Sequence, residues 1–401
     1  MTNALLVTLI ALVLAYSLSE IFRHFKLPRV IGQIFAGIIL GIPLIKNVLF
    51  TNEIISVFSF ISNIGIILLF FFVGLEVNLR QFKKNFRESS LIAVFNTLIP
   101  LVVGFLVGKF LFGFNNVTSL IIGISVSVSS QAISLDILEE VKLLKSKIGN
   151  LILASGTVDD VFELLLISSI LVVFNSTVLG QISFSKLVSD ILIFVLIVII
   201  FRFTLIPFAL RIFEKEKSKS TLFMGALIIV LLMSYLSELF GIGSLIGALI
   251  AGILVRQTLL SGEDRKPWRK NEISHSIHII SFGFLIPLFF VNVGLNTSFG
   301  TLSSNISLVI VLVLISIIGT LAGTVIGVLL SKGTLTEGLI VGWGVIPKGD
   351  TELVIATLAL NNGLISVDIF TAIITVALAS TFLAPIVFKI LIKRHAKITR
   401  Q

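Results

Sequence analysis

The chain of 401 residues is 56% hydrophobic and only 13% charged, with a formal net charge of +9 and a mean hydropathy of +1.13. A charged fraction about half that of ordinary globular domains excludes a soluble protein and makes the bilayer the expected solvent. There is no cysteine, which excludes disulfide and thiolate chemistry, and the four histidines lie near basic segments without metal-ligand spacing.

Apolar runs of the roughly 20 residues needed to cross the hydrocarbon core can be laid out thirteen times. Their approximate bounds are 3–22, 27–45, 54–78, 89–111, 117–138, 148–175, 183–211, 220–239, 241–259, 274–296, 302–331, 335–361 and 367–392. The first lacks a basic lead-in and is followed by another apolar run, not a small-residue cleavage site, so it reads as a true span. The tail after the last span is short, and 1–401 reads as a single integral membrane unit with no soluble domain.

Basic residues alternate with these spans. Loops after odd-numbered spans, together with the C-terminal tail, hold 25 Lys and Arg, including Arg80, Lys83, Lys84 and Arg87 after span three. Loops after even-numbered spans hold three, Lys46, Lys109 and Lys186. Positive residues mark the cytoplasmic side, so the N-terminus is expected outside and the C-terminus inside a cytoplasmic membrane. The basic surplus is thus a topology signal, and a nucleic-acid partner is discarded.

The segment Ile31-Gly32-Gln33-Ile34-Phe35-Ala36-Gly37-Ile38 recurs as Ile246-Gly247-Ala248-Leu249-Ile250-Ala251-Gly252-Ile253, an offset of 215. Phe70-Phe71-Phe72-Val73-Gly74-Leu75 recurs as Phe290-Val291-Asn292-Val293-Gly294-Leu295, an offset of 220. A shift of seven spans is odd, so the second copy is expected inverted across the membrane, with repeats at about 1–175 and 220–392 joined by span 183–211. Secondary transporters are built in this way, with sites near the midplane at broken helices. The same offset pairs Ser125-Val126-Ser127-Val128-Ser129-Ser130-Gln131 in span five with Val345-Ile346-Pro347-Lys348-Gly349-Asp350-Thr351 in span twelve. Pro347 and Gly349 interrupt a helix directly, and the serines offer oxygens to unpaired backbone groups. Ser and Gly also serve close helix packing, but equivalent positions in both repeats favour a site.

Ionisable residues deep within a span are functional candidates. Span six reads Ala154-Ser155-Gly156-Thr157-Val158-Asp159-Asp160-Val161-Phe162-Glu163, with three carboxylates in five residues. They cannot all stay charged and dehydrated, and they titrate as a coupled group. A site that holds either a proton or a small hard cation follows. Asp160 and Asp159 are the binding candidates, and the oxygens of Ser129, Ser130 and Gln131 suit Na⁺ or K⁺. Glu163 one turn on, and Lys348, Asp350 and Glu352 in span twelve, are supporting candidates. The bland alternatives are a structural polar cluster in span six and a surface loop in span twelve. No cofactor and no catalytic residue is expected.

The chain resembles the bacterial and archaeal cation:proton antiporter-2 family of sodium (or potassium)/proton exchangers. The resemblance is carried by Leu27-Pro28-Arg29-Val30-Ile31-Gly32-Gln33-Ile34-Phe35-Ala36-Gly37, Phe72-Val73-Gly74-Leu75-Glu76, Val158-Asp159-Asp160-Val161 and Gly342-Trp343-Gly344-Val345-Ile346-Pro347-Lys348-Gly349-Asp350. It implies an all-α polytopic fold of thirteen transmembrane helices with inverted repeats and two crossed discontinuous helices, spans five and twelve. It also implies a mobile core domain in an elevator-type cycle, a homodimer, Asp160 as the carboxylate that alternately binds cation and proton, and Asp159 ion-paired to a lysine on span eleven. That lysine precedes a glycine by three positions, and in Ile318-Gly319-Thr320-Leu321-Ala322-Gly323 its place is taken by Thr320. Gln131, Asp136, Glu163 and Glu352 are further departures, and the family's Pro-Arg-Gly-Glu stands as Pro347-Lys348-Gly349-Asp350.

Without the lysine, Asp159 is expected to be protonated, to share a proton or to join the cation shell, and one-for-one electroneutral exchange is the expected stoichiometry. The competing functions are an organic-anion symporter on the same fold, which the acidic span six disfavours, and a channel or transport-dead sensor.

Overall fold

The computed structural model describes residues 3–25, 27–76, 86–130, 134–135, 137–138, 141–143, 146–156, 158–159, 162, 166, 184–204, 219–240, 242–259, 272–298, 300 and 305–398. Among them all regular structure is helical. The order is α1 (Ala4–His24), α2 (Arg29–Leu40), α3 (Pro43–Leu49), α4 (Asn52–Glu76), α5 (Phe86–Leu106) and α6 (Asn116–Ser127). A helical stretch at 147–156 follows. Then come α7 (Phe184–Phe203), α8 (Lys219–Leu239), α9 (Ser244–Leu259), α10 (Glu272–Ile280), α11 (Ile286–Leu295), α12 (Ile306–Leu314) and α13 (Thr320–Leu330). The last are α14 (Leu335–Val345), α15 (Asp350–Asn361) and α16 (Val367–Ile398).

Six described helical stretches are long and apolar enough to cross a membrane: Ala4–His24, Asn52–Leu75, Arg87–Leu111, Ile277–Leu295, Ile306–Leu330 and Val367–His395. Among the described residues, some of the thirteen apolar runs are not single straight helices. The run at 27–45 is a pair, α2 and α3, bent by 81°. Pro43 opens α3, where its missing N–H is tolerated, whereas inside a continuous helix it would remove a hydrogen bond. Three runs continue through five-residue π turns, at Val107–Leu111, Ser281–Leu285 and Ile315–Gly319. Spans five and twelve stop at Ser127 and Val345, inside their apolar runs.

The chain divides into two compact units. The first comprises Met1–Ile21, Gly32–Val77 and Ser168–Leu295. Its packing is reciprocal. A Cβ on Gly37 would lie 2.0 Å from the Val291 carbonyl oxygen, and one on Gly294 would lie 2.1 Å from that of Ile34, so α2 and α11 touch backbone to backbone. A Cβ on Gly252 would lie 2.2 Å from the Phe71 oxygen, and one on Gly74 would lie 2.2 Å from that of Leu249, which sets α9 on α4 in the same way. The second pair is the first displaced by the offsets 215 and 220. The ends of these helices match as well. Lys46 Nζ donates to the Leu295 oxygen at 3.4 Å, and an Arg256 guanidinium N–H donates to the Leu75 oxygen at 2.9 Å. Each cation thus sits on C-terminal carbonyls, where the helix dipole favours it.

The second unit comprises Phe22–Ile31, Asn78–Ile167 and Asn296–Gln401 and carries both interrupted spans. Its close contacts are Gly323 of α13 on the Phe95 backbone of α5, and Gly123 of α6 on Leu101. Ile92, Leu138, Ile152, Val328, Val341 and Phe388 form its apolar core. Small residues at such contacts let helix backbones meet without a hydrophobic driving force, as membrane packing requires.

Candidate functional site

The site is built where two helices stop. Asn115 caps α6 by accepting from the Thr118 backbone N–H at 2.8 Å. α6 then ends at Ser127, and residues 128–130 leave the helix. On the other side, Thr334 and Glu337 form a reciprocal capping box at the start of α14, and Lys147 pairs with Glu337 at 2.7 Å. α14 ends at Val345, and α15 begins at Asp350.

The two interruptions meet. The Ser130 N–H donates to the Pro347 carbonyl at 2.7 Å. A Cβ on Gly349 would fall 2.6 Å from Ser130 Cβ, so only glycine admits this approach. Lys348 is buried, and its ammonium donates to the carbonyls of Val126, at 2.8 Å, and Val128. Those carbonyls belong to the open C-terminal end of α6, the negative pole of a half-helix. Thr381 of α16 donates to the Lys348 carbonyl at 2.7 Å, and Ser134 donates to that of Gly344. The backbone groups freed by the breaks are thereby paired by side chains, the condition for irregular backbone at membrane depth.

Asp159 is 2% exposed and lies among neutral donors. Thr97 and Ser129 hydroxyls donate to its two oxygens, and Asn96 Nδ2 donates to Oδ2 at 3.2 Å. Asn96 also reaches Ser129 Oγ at 3.4 Å and accepts from Thr324 at 3.3 Å. The result is a buried chain from α13 through α5 to the carboxylate. Thr320, one turn before Thr324, is fully buried, and its hydroxyl has no hydrogen-bond partner among the described residues. Asp159 is therefore held by uncharged groups of spans four and five, while the Thr320 hydroxyl takes no part.

Ser129, Ser130, Asp159 and Lys348 are brought to the breaks as the sequence suggests. Glu352 is fully buried in the first turn of α15. Asp160, Gln131, Asp136 and Glu163 lie outside the described residues, as does the side chain of Asp350. Asn96, Thr97 and Thr324 were missed by the sequence reading. The signal for the first two was present, since Asn96 and Thr97 are adjacent polar residues deep in an otherwise apolar span. Thr324 had a weaker one, being a single threonine among small residues.

Chemically, the arrangement offers carboxylate and hydroxyl oxygens with one buried ammonium at a helix break. That donor set suits protons and small hard cations. Comparison with known proteins agrees. Residues 8–394 match the family described as sodium/hydrogen exchanger, transmembrane. The chain is 31% identical over 376 residues to a Na⁺/H⁺ antiporter of Enterococcus hirae, covering 94% of each. It is 26% identical over 364 residues to the Na⁺/H⁺-K⁺ antiporter GerN of Bacillus cereus, covering 90% of this chain and 89% of that one. In fold it is similar to the sodium proton antiporter MjNhaP1 from Methanocaldococcus jannaschii, with a TM-score of 0.70 at 17% identity over 96% of this chain and 98% of that one. The chain belongs to the sodium/hydrogen exchanger family of transmembrane proteins.

Proposed function

We propose that the chain is a secondary antiporter that exchanges Na⁺ or K⁺ for H⁺ one for one across the cytoplasmic membrane, with Asp160 as the exchange carboxylate. The observation that carries the stoichiometry is the surrounding of Asp159, which is met by Asn96, Thr97 and Ser129 and not by an ammonium from position 320. Position 320 then supplies no ammonium to be released when a cation enters. One cation for one proton on Asp160 then balances. With the site open to one side, Asp160 releases its proton and takes a cation. The neutralised site crosses the apolar barrier, whereas an empty anionic site does not.

The reciprocal contacts of Gly37 with Gly294 and of Gly74 with Gly252, in which Gly37 corresponds to Gly252 and Gly74 to Gly294 by the sequence offsets, support inverted repeats. The division into two compact units, one of which holds both broken spans, supports an elevator-type cycle. Thirteen spans, crossed broken helices at five and twelve, an external N-terminus and a homodimer complete the reading. The relatives' names are those of cation/proton antiporters, and nothing favours organic-anion symport or a transport-dead sensor.

The test is a pH-gradient assay in proteoliposomes with Na⁺, K⁺ and Li⁺ supplied in turn and a membrane potential imposed. Cation-dependent proton flux independent of voltage is expected, and Asp160→Asn abolishes it. Flux that survives Asp160→Asn refutes the assignment. A rate or end point that follows the voltage refutes the stoichiometry.

A further inference from the structure

Two buried hydroxyls on span eleven stand without a partner close to the Asp159 network. Thr320 and Ser316 are four residues apart, where the π turn Ile315–Gly319 runs into α13. Both are fully buried, and neither oxygen has a hydrogen-bond partner among the described residues. A buried hydroxyl left unpaired costs stability, and an apolar group of the same shape in its place removes that cost. A ligand that takes the oxygen offsets it. Other buried serines are unpaired too, Ser125 and Ser234 among them, so position decides which oxygens await a ligand.

Glycine contacts fix that position within the second unit. α13 runs antiparallel to α5: a Cβ on Gly327 would meet Ile92, one on Gly323 would meet Phe95 and Asn96, and one on Gly319 would meet Pro100. Thr320 is therefore level with the turn of α5 that presents Asn96 and Thr97 to Asp159. α13 is antiparallel to α14 as well, since a Cβ on Gly338 would meet Val325 and one on Gly342 would meet Leu321. The Gly342 position also lies 3.5 Å from Thr324 Cβ. Thr324 thus sits between α14 and α5, where its hydroxyl donates to Asn96. One turn earlier on α13 is one turn later on α14. Thr320 and then Ser316, on the same side of the helix as Thr324, come level with the end of α14 at Val345 and the break beyond it. The last turn of α14 carries no basic residue, and its open carbonyl end is the negative pole of a half-helix.

We propose that the Thr320 and Ser316 hydroxyls are neutral ligands of the exchanged cation and determine which monovalent cation the site holds. Each hydroxyl oxygen offers two lone pairs to a cation that has shed water. The carbonyl end of α14 adds a favourable potential at the same level. Neutral oxygens discriminate ions by their number and field strength. They carry no charge, so one-for-one exchange is unaffected. The inference rests on the antiport reading above and adds to it the ligands that set cation choice.

The experiment compares apparent KM values for Na⁺ and K⁺ in proteoliposomes, and unfolding midpoints in detergent, for wild type, Thr320→Val, Thr320→Ser and Ser316→Ala. Thr320→Val keeps the shape of the side chain and removes the oxygen. Without cation its midpoint should equal or exceed that of wild type, because an unpaired hydroxyl is gone. Its KM should rise about ten-fold or more, as for a lost contact of hydrogen-bond strength to a charge, and the ratio of the Na⁺ and K⁺ values should change. Thr320→Ser restores an oxygen and should bring KM back toward wild type, and Ser316→Ala should raise it. A raised midpoint with both KM values unchanged in Thr320→Val is the behaviour of a merely buried hydroxyl, and it overturns the proposal. If Thr320→Val folds without transporting, the Na⁺ concentration that half-saturates the rise in midpoint decides: an increase is expected, and the wild-type value overturns it. If Thr320→Val does not fold, an unchanged KM in Ser316→Ala overturns it. Absence of any Na⁺- or K⁺-driven proton flux in wild type instead defeats the antiport reading itself.

Discussion

Asn96 holds Asp159 from the neighbouring helix, its Nδ2 donating to Oδ2 at 3.2 Å. The other end of the amide is fixed too, because Oδ1 accepts from Thr324 at 3.3 Å. A side chain tied at both ends has one orientation, and here that orientation presents donors to the carboxylate. Thr97 and Ser129 complete the set. Asp159 is thus positioned by neutral groups of α5 and of the break after α6, which explains how a buried carboxylate persists in a chain that has Thr320 where the family pattern has a lysine.

The first prediction tests that network. Asn96→Ala removes one donor to the carboxylate and leaves the Thr324 hydroxyl without its acceptor. Hydrogen bonds to charged groups contribute roughly 1.5–3 kcal/mol, equivalent to a factor of about 10–100 in affinity. The apparent KM for Na⁺ in everted vesicles should rise by an amount in that range, and an unchanged KM would show that Asp159 lies outside the cation shell.

Lys348 makes a second prediction, about stability as well as transport. Its ammonium is hydrogen-bonded to two carbonyls at the open end of α6. Lys348→Met keeps the length of the side chain and loses both bonds, leaving buried carbonyls unpaired. A loss of roughly 3 kcal/mol follows, allowing for the desolvation relieved. Thermal unfolding in detergent reads it as a lowered midpoint. Lys348→Arg keeps the charge and restores the family's own residue, so it should remain folded and active.

Much of this was legible in the sequence, for a physical reason. Apolar spans are written in hydropathy, because the bilayer imposes it on every residue of a crossing segment. The close helix contacts were legible at the recurring Gly37, Gly74, Gly252 and Gly294, because backbone contact at 2.0–2.2 Å from a would-be Cβ admits no other residue. Breaks were legible where Pro347 and Gly349 forbid helix. The length of the helices was less so: the π turn at Ile315–Gly319 and the 81° bend between α2 and α3 depend on tertiary packing more than on composition. The partners of Asp159 were not legible either. Two groups of α5 and one from the break after α6 converge on it, and no spacing rule links position 96 to position 159.

Glycine packing yields a third prediction. Gly37→Ala and Gly252→Ala each drive a Cβ into a carbonyl oxygen of the facing helix, at 2.0 and 2.2 Å. Neither neighbour is a flexible side chain, so the helices must separate, at about 1–3 kcal/mol each. The related contacts should give similar losses. Gly283 is the control: a Cβ there meets nothing within 4 Å, and alanine is the better helix former. Gly283→Ala should leave the unfolding midpoint unchanged or raise it.

The last prediction puts the missing ammonium back. Thr320 is fully buried, lies one turn before Thr324 on α13, and its hydroxyl has no hydrogen-bond partner among the described residues. A lysine at this position faces the same side of the helix as Thr324, whose hydroxyl already reaches Asn96. Its flexible stem can therefore carry an ammonium toward the Asp159 network. There the ammonium finds a carboxylate, and the alternative, a lone buried charge, is far less favourable. Thr320→Lys then adds a positive charge that a cation must displace, and charge no longer balances over one turn of exchange. Na⁺/H⁺ exchange in proteoliposomes should become voltage-dependent in the variant and stay voltage-independent in wild type. If Thr320→Lys transports with no response to an imposed potential, the neutral surroundings of Asp159 do not set the stoichiometry, and its origin must be sought in the carboxylates of span six.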